Sequence, residues 1–205
     1  MDVESYIMEF LTTDNPQLEA IERQYDVRDD AVPSIGPEVG KLLGLIARAT
    51  GAKRVMEFGT SLGYSTVWLA EAMRATGGKL ISIEVNKKLY EATRENINQA
   101  GLADYVDLIY GDAKKIIYEV EGPFDMILQD SAKPLYPVML DKCVDLLRMN
   151  GVLAADDGLF LPLGYEEENA SPMHEYNKMV FADHRLYSTI LPIGDGLTLS
   201  VKVRD

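Results

Sequence analysis

The sequence predicts an α/β protein: a mostly parallel sheet covered by helices on both faces, ending in antiparallel strands. Three observations carry this. Five short apolar runs alternate with segments of helical period between Val55 and Ala155, with no break in composition. The stretch at 55–70, VMEFGTSLGYSTVWLA, passes from strand through a glycine turn into a helix, a unit whose glycines and free helix N–H groups suit a closely held ligand. After residue 184, two alternating stretches, Arg185 to Leu191 and Leu197 to Val203, flank Pro192-Ile193-Gly194-Asp195-Gly196, a hairpin-like connection whose strands pair antiparallel.

Before the sheet, Asp2 to Asp26 reads as two short amphipathic helices, with Tyr6, Ile7, Phe10 and Leu11, then Leu18, Ile21 and Tyr25, at helical spacing and Asn15-Pro16 between them. They stand outside the βα repeat, so residues 1–30 are expected to cover a ligand site or to pack on another subunit. Pro33, Gly36 and Pro37 mark an ordered loop over Ala31 to Gly40, leading into a helix over Glu38 to Thr50 with Leu42, Leu43, Leu45 and Ile46 as its apolar face. After the opening strand and helix come a strand over Lys79 to Glu84 and a helix over Lys87 to Ala100, closed by Gly101. A third strand over Tyr105 to Tyr110, the turn Gly111-Asp112-Ala113 and a short helix to about Val120 follow. The fourth strand is Phe124 to Gln129, the next helix Leu135 to Met149, and the fifth strand Gly151 to Ala155. Leu159 to Pro172, with the acidic run Glu166 to Glu168, is expected as a long loop before a helix over Met173 to Ala182.

At 205 residues, 47% hydrophobic, residues 1–205 suit one domain with a sizeable core. One cysteine, Cys143, excludes an intramolecular disulfide and a multi-cysteine metal site and fits a reducing cytoplasm. No run reaches the roughly 18 apolar residues that span a bilayer, and the first residues are acidic instead of basic. A net charge of -13 repels nucleic acid and anionic membranes at long range. A soluble cytoplasmic protein with a small-molecule substrate is therefore expected.

In doubly wound sheets, ligands bind at the carboxyl ends of the strands. Each strand here delivers acid to that edge: Glu57, Glu84, Asp112, Asp130, and the pair Asp156-Asp157. Charge is depleted inside sheets, so the set signals a site, although each residue alone also reads as a helix cap. Glu84 is placed to accept hydrogen bonds from the two hydroxyls of a ribose, which points to a nucleoside cofactor. Asp112 and Ala113 could border its base, and the turn from Gly59 to Ser65 its charged end. That turn, Gly59-Thr60-Ser61-Leu62-Gly63, lacks the middle glycine of a dinucleotide-binding loop, which weakens a pyrophosphate reading; an ordinary tight turn stays open. Asp130, Asp156 and Asp157 come from strands expected to be neighbours. Three converging carboxylates repel unless protonated or bridged, and all-oxygen ligands suit a hard ion such as Mg²⁺ or Ca²⁺. Lys133, three residues after Asp130, would share the site, and beside a cation its pKa should fall, making it a general base.

The stretches EFGTSLGYSTVWLA, SIEVNKKLYEATRENINQAG, YGDAKKI, FDMILQDSAKPLY, GVLAADDGLF and LPIGDGLTLS together resemble the cation-dependent O-methyltransferases, which include catechol and caffeoyl-coenzyme A O-methyltransferases and small bacterial relatives. The resemblance runs from about Val32 to the C-terminus. It implies the Rossmann-like, seven-stranded S-adenosylmethionine-dependent methyltransferase fold with an antiparallel last strand, and a homodimer. It assigns Glu57, Gly59, Ser61, Gly63 and Ser65 to the methionine end of the cofactor, Glu84 to its ribose, and Asp112 with Ala113 to its adenine. Asp130, at the junction, joins Asp156 and Asp157 as metal ligands, with Mg²⁺ the expected ion and Ca²⁺ or Mn²⁺ the alternatives; Lys133 matches the base. The acceptor implied is a hydroxyl of an aromatic diol or phenol. Alternatives are a hydroxyuridine in tRNA, disfavoured by the acidic charge, and a non-catalytic cofactor-binding protein.

Two departures stand out. The usual Asp-Ala-Asp-Lys is Asp130-Ser131-Ala132-Lys133 here, and the usual third ligand, Asn, is Asp157. The extra negative charge should strengthen cation binding while lessening the ion's power to acidify a bound hydroxyl. Gly158 to Gly164 also lacks the usual Trp-Gly-Gly pattern.

Overall fold

A computed structural model of the chain describes residues 2–13, 15–31 and 35–205, the side chain of Glu4 apart. Val32, Pro33 and Ser34, read above as part of a loop, lie outside the described residues. The N-terminal segment forms α1 (Val3–Met8) and α2 (Gln17–Tyr25). The alternating body follows as α3 (Pro37–Ala49), β1 (Arg54–Phe58), α4 (Tyr64–Thr76), β2 (Lys79–Glu84), α5 (Lys87–Gln99), β3 (Val106–Tyr110), α6 (Ala113–Ile116), β4 (Phe124–Gln129), α7 (Leu135–Leu146) and β5 (Leu147–Ala155). Then come α8 (Phe160–Leu163), α9 (Glu167–Ala182), β6 (Leu186–Leu191) and β7 (Leu197–Lys202).

The seven strands make one sheet in the order β3-β2-β1-β4-β5-β7-β6. The first five pair parallel, and β7 inserts antiparallel between β5 and β6. Order reverses between β1 and β4, and the crevice outside the strand ends there is where such sheets bind ligands. The period of two sorts the core into layers: Met126, Leu128, Val152 and Ala154 pack under α3 and α4, while Ile127, Leu153 and Ala155 pack under α7 and α9. Cys143 is buried in the second layer. No helix among the described residues is long and apolar enough to cross a membrane.

The elements differ from the sequence expectation in several places. The face that α3 buries is Val39, Gly40, Leu43, Gly44 and Ala47, while Leu45 is exposed; small residues let α3 approach α4, with Gly40 against the Trp68 ring. Strand β5 begins at Leu147 instead of Gly151, because Leu147 pairs with Phe124, and this ends α7 at Leu146. The stretch expected as one long loop is mostly helical, as α8 and the first six residues of α9. Pro172 sits inside α9 despite its missing N–H; the buried face Ala170, Met173, Tyr176 and Val180 offsets that loss, with Tyr176 edge-on to Tyr136 at 5.4 Å. Glu167 and Glu168 in its first turn also suit the helix dipole.

Candidate active site

The ladders continue one residue past the strands and set the acidic residues at a common level. Asp130 N donates to Phe58 O, Asp156 N to Gln129 O, Gly59 N to Ile83 O and Gly111 N to Glu84 O. Beyond that edge lies a cavity of about 680 Å³, large enough for a cofactor and a small partner. Of the residues singled out in the sequence, Gly59, Ser61, Glu84, Asp112, Ala113, Asp130, Lys133 and Asp157 line it.

The glycine turn is held by a residue expected only to meet ligand. Glu84 Oε2 accepts from Thr60 N (3.3 Å) and Ser61 N (2.9 Å), and its Oε1 from Asn86 N (2.7 Å). Gly59 and Gly63 have φ of 89° and 90°, conformations that favour glycine. Ser61, itself at φ 50°, accepts through its carbonyl from Thr93 Oγ1 at 2.6 Å and through Oγ from the Tyr25 hydroxyl at 3.2 Å. That last bond places α2 over the turn. By contrast, the apolar residues Val3 and Tyr6 of α1, and Phe10 just after it, are exposed. Asp112 both lines the cavity and caps α6, accepting from Lys114 N at 3.0 Å, so the two readings of it are compatible.

Glu57, Gly63 and Ser65 stand behind the turn instead of lining the cavity. Glu57 alternates with Met56 and Phe58 and so faces α4, where its Oε2 accepts from Thr66 Oγ1 (2.6 Å) and Ser82 Oγ (2.5 Å). Its Oε1 and the Ser65 Oγ are both buried. Burial pushes the Glu57 carboxyl up from its ordinary 4.5 to about 7, against the hydroxyls of Ser65, Ser82 and Thr66. The folded protein thus keeps this proton to about pH 7 while the unfolded chain loses it near 4.5. Each rise in pH between those values favours unfolding, by about 3 kcal/mol in all. Glu57→Gln, which removes the titration, should make the unliganded protein lose less stability between about pH 5 and about pH 8. Thermal melts of both proteins across that range test this, and identical pH slopes would refute it.

Asp130, Asp156 and Asp157 converge, each offering one oxygen within 4.8 Å of the others. Asp156 Oδ1 is buried without a partner among the described residues. Asp157 is held at φ 67°, a strained region for a residue with a Cβ. Burial drives the Asp156 carboxyl well above the ordinary range, and Asp130 and Asp157 add to it. Burial also raises Asp157, with Lys133 opposing. A buried, orphaned oxygen amid mutually repelling carboxylates fits a hard divalent cation.

Lys133 sits between them, 3.5 Å from Asp130 Oδ1 and in closer ion contact with Asp157 Oδ2. Its ammonium donates to the Tyr136 hydroxyl at 3.1 Å and lies 5.6 Å from the centre of the Phe160 ring. Burial pulls its pKa down, but Asp130, Asp157 and Asp156 outweigh that and hold it above the ordinary lysine value. Lys133 is thus paired as the counterion of the cluster.

The sequence reading missed the opposite wall. Phe160 and Tyr165 stack with ring centroids 3.9 Å apart and planes at 13°, and the Tyr165 hydroxyl donates to Asp195 Oδ2 at 2.8 Å. The Asp195 loop is pinned to this segment by Gly158 N to Gly196 O and Leu159 N to Asp195 O. Asn169, at the start of α9, completes the wall. Aromatic residues in the stretch after Asp157 were the available signal.

Residues 9–203 match the O-methyltransferase family. The chain is 32% identical to the catechol O-methyltransferase of Niastella koreensis, over 97% of this chain and 96% of that protein. It is similar in structure to cofactor-bound Rv0187 from MTB (TM-score 0.90, 27% identity, 100% of this chain and 97% of that one). It is also similar to the O-methyltransferase from Bacillus cereus in complex with SAH (TM-score 0.86, 25% identity, 98% and 96%).

Proposed function

Because the chain belongs to the O-methyltransferase family and is thereby an S-adenosylmethionine-dependent methyltransferase, we propose that it methylates one hydroxyl of a small catechol-like or phenolic substrate. In this reading Asp130, Asp156 and Asp157 hold a divalent cation, Mg²⁺ first, and the protein works as a cytoplasmic homodimer. The observation that supports it best is the shared cavity: the glycine turn, the three-carboxylate cluster and an aromatic wall meet at one sheet edge. The exposed apolar residues at α1 favour a subunit contact.

Ser61, Glu84, Asp112 and Ala113 would seat the methyl donor, whose sulfonium supplies an electrophilic methyl. Gly59 lets the chain turn beneath it, and Glu57, Gly63 and Ser65 shape that turn from behind. When bound, the cation would supply Lewis acidity toward the diol oxygens and draw carboxylate charge away from Lys133. Lys133 Nζ, once it has given its own proton to solvent, would accept the proton of the reacting hydroxyl as a neutral amine, steered by Tyr136 on one side and the carboxylates on the other. Phe160 and Tyr165 present an apolar face to the acceptor ring and exclude water. Rate comes chiefly from holding hydroxyl and methyl in line at attack distance.

Transfer of a labelled methyl group to catechol in the presence of Mg²⁺ is the expected result. EDTA should abolish it while donor binding persists; full activity after chelation would remove the cation from this reading.

A further inference from the structure

We infer that Asp195 selects the acceptor by charge, so that diols carrying an ammonium on their side arm are preferred and diols carrying a carboxylate are poor substrates. This rests on the diol reading above and goes beyond it. Among the described residues lining the cavity, six are acidic (Asp30, Glu84, Asp112, Asp130, Asp157 and Asp195) and Lys133 alone is basic. Most of that charge is already engaged. Asp30 is paired with Arg28 through both oxygens, at 2.8 Å each. Glu84 holds the turn amides, Asp112 caps α6 on the donor side, and Asp130 and Asp157 share Lys133.

Asp195 is different. Among the described residues no cation pairs with it, and its one side-chain hydrogen bond comes from the neutral Tyr165 hydroxyl. That bond orients the carboxylate and ties it to the stacked ring that forms the acceptor wall. A divalent ion at Asp130, Asp156 and Asp157 would offset the charge of that cluster and leave Asp195 unneutralised. An anionic side arm therefore meets a like charge at Asp195 and no spare cation, since Lys133 faces the carboxylate cluster. The exposed Glu166, Glu167 and Glu168, directly after Tyr165, add negative potential at the rim. An ammonium, protonated at neutral pH because its pKa is near 10, gains where a carboxylate loses.

The test compares catechol, dopamine and dihydroxyphenylacetate, which share a ring and differ in the charge of the arm. Wild type should favour dopamine over dihydroxyphenylacetate in kcat/KM by about tenfold or more, with the gap narrowing from low to high salt. The same order is expected in Kd by calorimetry, without turnover. Asp195→Asn, whose amide oxygen can still accept from Tyr165, should lower the dopamine-to-catechol ratio about tenfold. An unchanged ratio, or a wild type blind to the charge of the arm while methylating catechol, overturns the role of Asp195 alone. Failure to methylate any of the three overturns the diol reading with it.

Discussion

Replacing Lys133 with methionine is expected to lower methyl transfer to a diol by a factor of about 10² to 10⁴, with donor affinity largely retained. Two losses contribute. Lys133 Nζ is the one basic atom among the described residues lining the cavity, so its removal takes away the proton acceptor. Its removal also leaves Asp130, Asp156 and Asp157 without the ammonium that offsets their repulsion. Lys133→Arg separates these. Arginine keeps the charge but cannot give up a proton near neutral pH, so it should restore the cluster's balance and not the rate. Steady-state kinetics of both variants decides: an arginine variant with near wild-type kcat would reduce Lys133 to a counterion. Donor binding by calorimetry guards against a general loss of structure.

How far such roles can be read without coordinates depends on how local their physics is. The strand-end acids were legible because a parallel sheet brings every strand's carboxyl end to one edge, and the ladder past β1, β4 and β5 puts Asp130 and Asp156 there. The position of Glu57 was legible in principle too. It falls between Met56 and Phe58, so the period of two turns it away from their face and toward α4. What the sequence concealed is non-local. Pro172 and three glutamates resemble a loop, and only burial of Met173 and Tyr176 makes that stretch a helix. The bonds from Tyr25 to Ser61 and from Tyr165 to Asp195 join residues 36 and 30 positions apart, which no periodicity announces. The charge state of Lys133 likewise depends on three carboxylates whose sum becomes visible only once they are placed.

Gly59→Ala is expected to destabilise the protein by about 3 kcal/mol or more, a fall of roughly 6–12 °C in Tm for a chain of this size. A Cβ at this position would lie 2.0 Å from the carbonyl oxygen of Asp130, 2.6 Å from its carbonyl carbon and 2.9 Å from Ser131 Cα. These are backbone atoms, and both sides are locked: Gly59 N bonds Ile83 O at 3.1 Å and Asp130 N bonds Phe58 O at 2.9 Å. The φ of 89° adds strain for any side chain. Gly51→Ala supplies the comparison, since Gly51 also has positive φ (62°) but an added Cβ there meets nothing within 4 Å. It should cost about 1 kcal/mol, the conformational part alone. Thermal melts of the two variants that agree would show the close approach to be unimportant. If Gly59→Ala is the worse, the damage also reaches chemistry, because relief of the clash must move Asp130 and the start of the segment carrying Lys133. The donor turn and the carboxylate cluster share this backbone contact, so one methyl group at Gly59 should impair cation binding as well as donor binding.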